Sequence, residues 1–153
     1  MRSIIRKVII LTLCLYSAFF FMGGFLAPVF AHFKNYDLSA MLTSLYVYSC
    51  HQQPNRTFWI MGYPMALCCR CFGFYIGVFS AGIADLFDKL NVRYRVFIIL
   101  LLISVIDITL NFCIKFNTGN IIRFIVGIIM GLLFVVVISH LLKGKWRKEN
   151  YES

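Results

Sequence analysis

The chain has 153 residues, 61% of them hydrophobic and only 14% charged, with a mean hydropathy of +0.83. That is far less polar surface than a water-soluble domain of this size carries, so soluble enzyme and soluble binding-module classes are excluded. Fifteen Lys and Arg against six Asp and Glu would suggest nucleic acid in a soluble protein. Here the basic residues sit mainly between apolar runs, where bilayer topology explains them, so the expected partner is the lipid bilayer and no nucleic acid is expected.

In chain order, the apolar run from Val8 to Phe30 follows Arg2, Arg6 and Lys7. At about 1.5 Å per helical residue it crosses a hydrocarbon core of roughly 30 Å. Val29-Phe30-Ala31 resembles a signal-peptidase site, but the run exceeds an h-region of about 7 to 15 residues, so it reads as a retained first span. Residues 31–69 form an outer loop in which Leu38, Met41, Leu42 and Leu45 recur at helical spacing beside Tyr46 and Tyr48. This pattern suggests a short interfacial or re-entrant helix. A second apolar run begins near Met65 and gives a span over about 70–87, with Gly73, Gly77 and Ala81 four apart on one helix face. Another helix backbone can approach there. Third and fourth spans are expected over about 96–114 and 121–142, the last with Gly127 and Gly131 repeating the small-residue spacing. The fold class is therefore an all-α membrane protein, one membrane-embedded domain over residues 1–153. It has four transmembrane helices, a cysteine-rich outer loop and a short interfacial helix.

Orientation follows from the basic residues. Arg2, Arg6 and Lys7, then Lys89, Arg93 and Arg95, then Lys143, Lys145, Arg147 and Lys148 all fall on one side of a four-span chain. That side is cytoplasmic by the positive-inside rule, with Trp146 as an interface anchor. Lys34, Arg56, Arg70 and Lys115 fall on the other. The reading is a multi-pass protein of the bacterial inner (cytoplasmic) membrane with both termini cytoplasmic and residues 31–69 outside.

Two of the six cysteines, Cys14 and Cys113, lie within apolar spans and read as small hydrophobes. The other four gather near the outer face as Cys50-His51 and Cys68-Cys69-Arg70-Cys71. Cys68 and Cys71 make a Cys-x-x-Cys hook, and Cys50 with His51 can complete a four-ligand set suited to zinc. Adjacent side chains share an ion only where the backbone turns, and Pro54 favours a turn nearby. Two alternatives stand beside metal. A thiol pair at a helix start next to Arg70 is activated toward thiol–disulfide exchange, with a membrane quinone as electron acceptor. A disulfide or metal can also act as a noncatalytic staple in a binding or assembly protein.

The pattern Cys50-His51-Gln52-x-Pro54-x-Arg56-x-Phe58, followed by Cys68-x-x-Cys71-x-Gly73-x-Tyr75-x-Gly77, resembles the signature of the DUF2085 family of small predicted membrane proteins. The likeness continues through Asp107, Asn120, Arg123, Gly127 and Gly131. It implies that these residues form one unit and implies no reaction. Two positions depart from the family pattern: Cys69, where the residue is not usually cysteine, which makes it a poorer ligand, and Thr57, where Ser is more usual.

Within the spans, Asp107 lies about 10 Å below the outer surface by helical rise, and an unpaired charge there is costly. Ser104 and Asn111 share its helix face, so this stripe must look into the bundle, with Arg123 as the expected partner. Asp107 either fixes helix orientation, transfers a proton or supplies a carboxylate to a metal. Arg56, Arg70 and Arg123 lie near one membrane face, where an anionic lipid or lipid-linked phosphate would satisfy them. Asp85, Asp88, His32 and His140 read as interfacial. The expected metal ligands are thus Cys50, His51, Cys68 and Cys71, and the candidate catalytic groups are Asp107, His51, Arg56 and Arg123. The function they suggest is metal-dependent chemistry on a lipid-linked or membrane substrate. The sequence fixes neither the reaction nor the oligomeric state.

Overall fold

The computed structural model describes residues 2–90, 92, 94–113 and 119–143. Among the described residues there are five α-helices: α1 (Arg2–His32), α2 (Tyr36–Ser44), α3 (Cys69–Leu86), α4 (Tyr94–Cys113) and α5 (Gly119–Lys143). A helix thus stands at each of the four expected spans and at the expected short helix. Three of them, over Ile4–His32, Cys69–Leu86 and Gly119–Leu142, are long and apolar enough to cross a membrane. Arg93, Lys115, Lys145, Trp146, Arg147 and Lys148 lie outside the described residues, as do the side chains of Asn111 and Cys113.

The spine of the fold is α3 against α5. A Cβ on Gly73 or Gly77 would collide with the backbone carbonyl of Phe124 or Ile128 on α5, and one on Gly127 or Gly131 with that of Arg70 or Phe74 on α3. Both expected small-residue stripes therefore face each other and let the backbones touch. On the other side of α3, α1 buries Ile10 and Cys14 against Val78, Ala81 and Val135. The Cys14 sulfur fills the space that Gly82 leaves open, which accounts for this cysteine as a core residue. The remaining long helix, α4, packs on α5 and leaves Ile99, Leu102, Val105 and Ile106 exposed.

The end of the bundle that carries the start of α1 holds a polar clasp. Arg6 donates through Nη1 to both oxygens of Asp85 at 3.2 Å, and through Nη2 to Asp88 at 2.6 Å. Ser139 of α5 adds a bond to Asp85 at 2.6 Å. Reading Asp85 as interfacial is corrected by its 1% exposure. Its partners come from helices remote in sequence, so nothing local marks its burial. With α1, α3 and α5 joined at this acid, α1 is an integral part of the packed fold.

At the opposite end, residues between α1 and α3 fold back over the helices. Lys34, at φ 60, ends α1, and the Asn35 side chain then caps α2 by accepting from the Leu38 N–H at 3.3 Å. Tyr46, 1% exposed, donates to the Phe20 carbonyl at 2.9 Å and lies over Gly23, where any side chain would displace it. After a single 3₁₀ turn at Pro54–Arg56, β1 (Trp59–Ile60) and β2 (Tyr63–Pro64) pair antiparallel with Ile60 opposite Tyr63. Met61 (φ 52) and Gly62 (φ 83) form the turn, and positive φ at both central positions matches the twist of a two-residue hairpin.

Thr57 closes this loop. It is 2% exposed, donates to the Leu67 carbonyl at 2.7 Å with the Met65 carbonyl 3.2 Å away, and accepts at its own carbonyl from Asn120 of α5 at 3.1 Å. Thr57→Val keeps the shape and removes the donor, so it is expected to destabilise the protein by about 1–3 kcal/mol. Thr57→Ser, which keeps the hydroxyl, should cost less. Thermal unfolding of both variants in detergent measures the difference.

Candidate metal centre

Two chain segments meet at the N-terminus of α3. One ends at Cys50, fixed by its N–H donating to the Tyr46 carbonyl at 2.8 Å. The other is the start of α3, where Cys68 is the N-cap and Cys71 lies one helical turn on, so that both side chains fall on one side of the helix end. The loop closed by Thr57 brings Cys68 back onto Cys50, and the Cys68 N–H donates to the Cys50 sulfur at 3.2 Å. The sulfurs of Cys50, Cys68 and Cys71 all lie within 4.8 Å of one another. All three are free thiols.

Three sulfurs around one point suit a thiophilic cation. Zinc–sulfur bonds of about 2.3 Å in a tetrahedron separate sulfurs by roughly 3.8 Å, so a small inward shift of these side chains would close the set on an ion. The donor set fits such an ion chemically. The sulfurs also hydrogen-bond to one another. Hydrogen bonds from the Cys68 thiol first, then the Cys71 thiol, hold the Cys50 sulfur well below the usual thiol range, and the backbone N–H of Cys68 helps. The proton that Cys68 gives to this bond raises its own value. Cys50 is accordingly the thiolate of the group, close to the positive end of α3.

The other expected ligand stands apart. Among the described residues the converging group holds these three cysteines only. His51 is exposed but lines the same cavity as the sulfurs. The turn that sequence reasoning required comes at Gln52 (φ 47), one residue past His51, and Gln52 is anchored by donating to the Thr43 carbonyl at 2.6 Å. Cys69 is fully buried and lies outside the group, in keeping with its reading as a poorer ligand.

Beside the sulfurs opens a cavity of about 460 Å³ whose walls include Arg56, Arg70 and Arg123. Asp107, 6% exposed with Ser104 3% exposed on the same helix face, does look into the bundle. It pairs with Arg70, whose Nη2 sits 2.5 Å from Oδ2. Arg123 is near enough for its charge to interact with Asp107, Arg56 and Arg70. Sequence reasoning did not name Arg70 as a partner because it stands between two ligand cysteines. The usable signal was helical geometry: with Cys68 and Cys71 on one side of the first turn, residue 70 must point to another.

This arrangement defines a helical membrane protein with a three-thiol centre and an arginine-lined cavity at one end of the bundle. The chain belongs to the family described as predicted membrane protein DUF2085, whose sequence profile matches residues 50–137. It is similar to an uncharacterized protein of Methanocaldococcus jannaschii, 35% identical over 129 residues that cover 78% of this chain and 83% of the relative. A shorter match, 40% identical over 40 residues, covers 26% of this chain and 36% of an uncharacterized protein of Methanothermobacter thermautotrophicus. No solved structure matches.

Proposed function

We propose that this protein binds a single zinc ion through Cys50, Cys68 and Cys71 at the extracytoplasmic face of the cytoplasmic membrane. The observation that carries the reading is the convergence of three sulfurs from segments eighteen residues apart in sequence. Zinc is favoured over harder cations because all three donors are thiols. Three protein ligands would leave one coordination position of a zinc ion open, and His51, which lines the same cavity as the sulfurs, could fill it or act as a base beside it. An open position supplies Lewis-acid chemistry, so the protein serves as a metal-dependent enzyme on a lipid-linked or membrane substrate, with Asp107 positioning Arg70.

The topology belongs to the same proposal. A single domain crosses the membrane four times, with α4 as the third span. Its twenty residues reach about 30 Å, and its exposed Ile, Leu and Val side chains suit lipid contact. The α2 helix, with no buried residue and exposed Tyr36 and Met41, followed by exposed Leu45 at its C-cap, lies in the interface. The basic clusters place both termini in the cytoplasm.

The test is metal analysis of detergent-purified protein. Wild type is expected to carry about one zinc per chain and Cys68→Ser less than about a tenth of that. Metal-free wild type that instead traps a thiol substrate as a mixed disulfide would move the assignment to thiol–disulfide exchange.

A further inference from the structure

We propose that the cavity beside the sulfurs is a binding site for a phosphate group, clamped by Arg56, Arg70 and Arg123. Its placement next to a metal rests on the reading above, whereas the arginines stand on their own geometry. They arrive from three separate elements, the 3₁₀ turn, the first turn of α3 and the second turn of α5, and all three line one cavity. Arg123 is only 6% exposed, so its charge is held where solvent does not neutralise it. The Nε of Arg70 is buried with no hydrogen-bond partner, although its Nη2 is bonded to Asp107. A buried guanidinium N–H left without an acceptor is costly unless a ligand supplies one.

The charge balance points the same way. No Asp or Glu lines the cavity among the described residues. Three guanidinium charges face one neighbouring carboxylate, and three thiolates with a divalent ion contribute a single net negative charge. One positive charge is left over. Guanidinium forks converging from three directions match a tetrahedral group with several oxygens better than a planar carboxylate with two. The volume of about 460 Å³ exceeds that of bare phosphate and leaves room for an attached alcohol, so a lipid headgroup and a free phosphate present the same chemistry here.

The experiment uses the full-length, zinc-loaded protein with two probes: inorganic phosphate by calorimetry in detergent, and nanodiscs of phosphatidylcholine with or without phosphatidic acid, read by thermal shift. Saturable binding of either probe, weakened at least about tenfold in Arg56→Gln and in Arg123→Gln with zinc content unchanged, is the expected result. Response to inorganic phosphate assigns a soluble source, and response to phosphatidic acid alone assigns a lipid one. Arg56 lies on an exposed turn, so its variant keeps the test valid if Arg123→Gln fails to fold. Wild type that binds neither probe, or binding that neither substitution weakens, overturns the proposal. Arginine-dependent phosphate binding by protein that holds no zinc would instead overturn the metal reading and leave this site standing.

Discussion

Gly127→Leu is expected to separate α3 from α5 and abolish metal binding together with stability. The α carbon of Gly127 rests on the backbone of Arg70 and Phe74, so even a Cβ there meets the Arg70 carbonyl well inside van der Waals contact. Backbone atoms cannot swing aside as the end of a flexible side chain can. The helices must move apart, and the loss should reach about 3 kcal/mol or more, at the upper end of overpacking costs. Gly127→Ala should cost less, in the same direction. Moving α3 also moves Arg70, whose guanidinium is paired with Asp107, and Cys68 and Cys71, which start the same helix. A packing substitution at a residue that is not itself a ligand should therefore release zinc. Ile125→Ala is the control, because Ile125 is 50% exposed on the same helix. Thermal unfolding and zinc content on matched preparations read both effects. Gly127→Leu that keeps wild-type stability would show that α3 and α5 do not pack through these glycines.

The parts of this fold that were legible in the sequence have local causes. Apolar run length located the long helices, and spacing by four located the Gly73, Gly77, Gly127 and Gly131 faces that do meet. The convergence of Cys50 with Cys68 and Cys71 followed from residue chemistry, since thiols so grouped call for a shared purpose. What was not legible depends on contacts between distant segments. Asp85 looked like any carboxylate at a helix end until Arg6 and Ser139 closed over it. Asp107 required a basic partner; that Arg70 bonds to it depends on the rotation of the first turn of α3, which the sequence does not show. His51 was grouped with Cys50 by adjacency, yet adjacency says little about direction where the backbone is irregular, and the turn falls one residue later.

Proton release on metal binding separates a preformed thiolate site from a set of ordinary thiols. Cys50 is already ionised near neutral pH, because the thiols of Cys68 and then Cys71 hydrogen-bond to its sulfur, while Cys68 is held above the usual range by that same bond. Binding a divalent ion should then displace about two protons rather than three, and the apparent affinity should rise about 100-fold per pH unit between roughly pH 6 and 8. In Cys50→Ser, with two thiols left and no neighbouring thiolate, affinity should be far weaker, and the two displaced protons would come from thiols in the ordinary range. The metal-free protein carries the matching stability signature. A lowered value at Cys50 contributes stability above the unfolded thiol value of about 8.5 and loses it as pH falls through the folded value. The raised value at Cys68 contributes below that unfolded value, and its contribution is lost as pH climbs through the folded value. Metal-free protein should therefore lose thermal stability on the alkaline side, where a second thiolate forms beside the first. Zinc-loaded protein, whose thiolates are all held by the ion, should not. Proton counts from titration in weakly buffered solution, paired with thermal midpoints at several pH values, measure both. Release of three protons, or identical alkaline behaviour with and without zinc, would show that the sulfurs do not share their protons in the folded state.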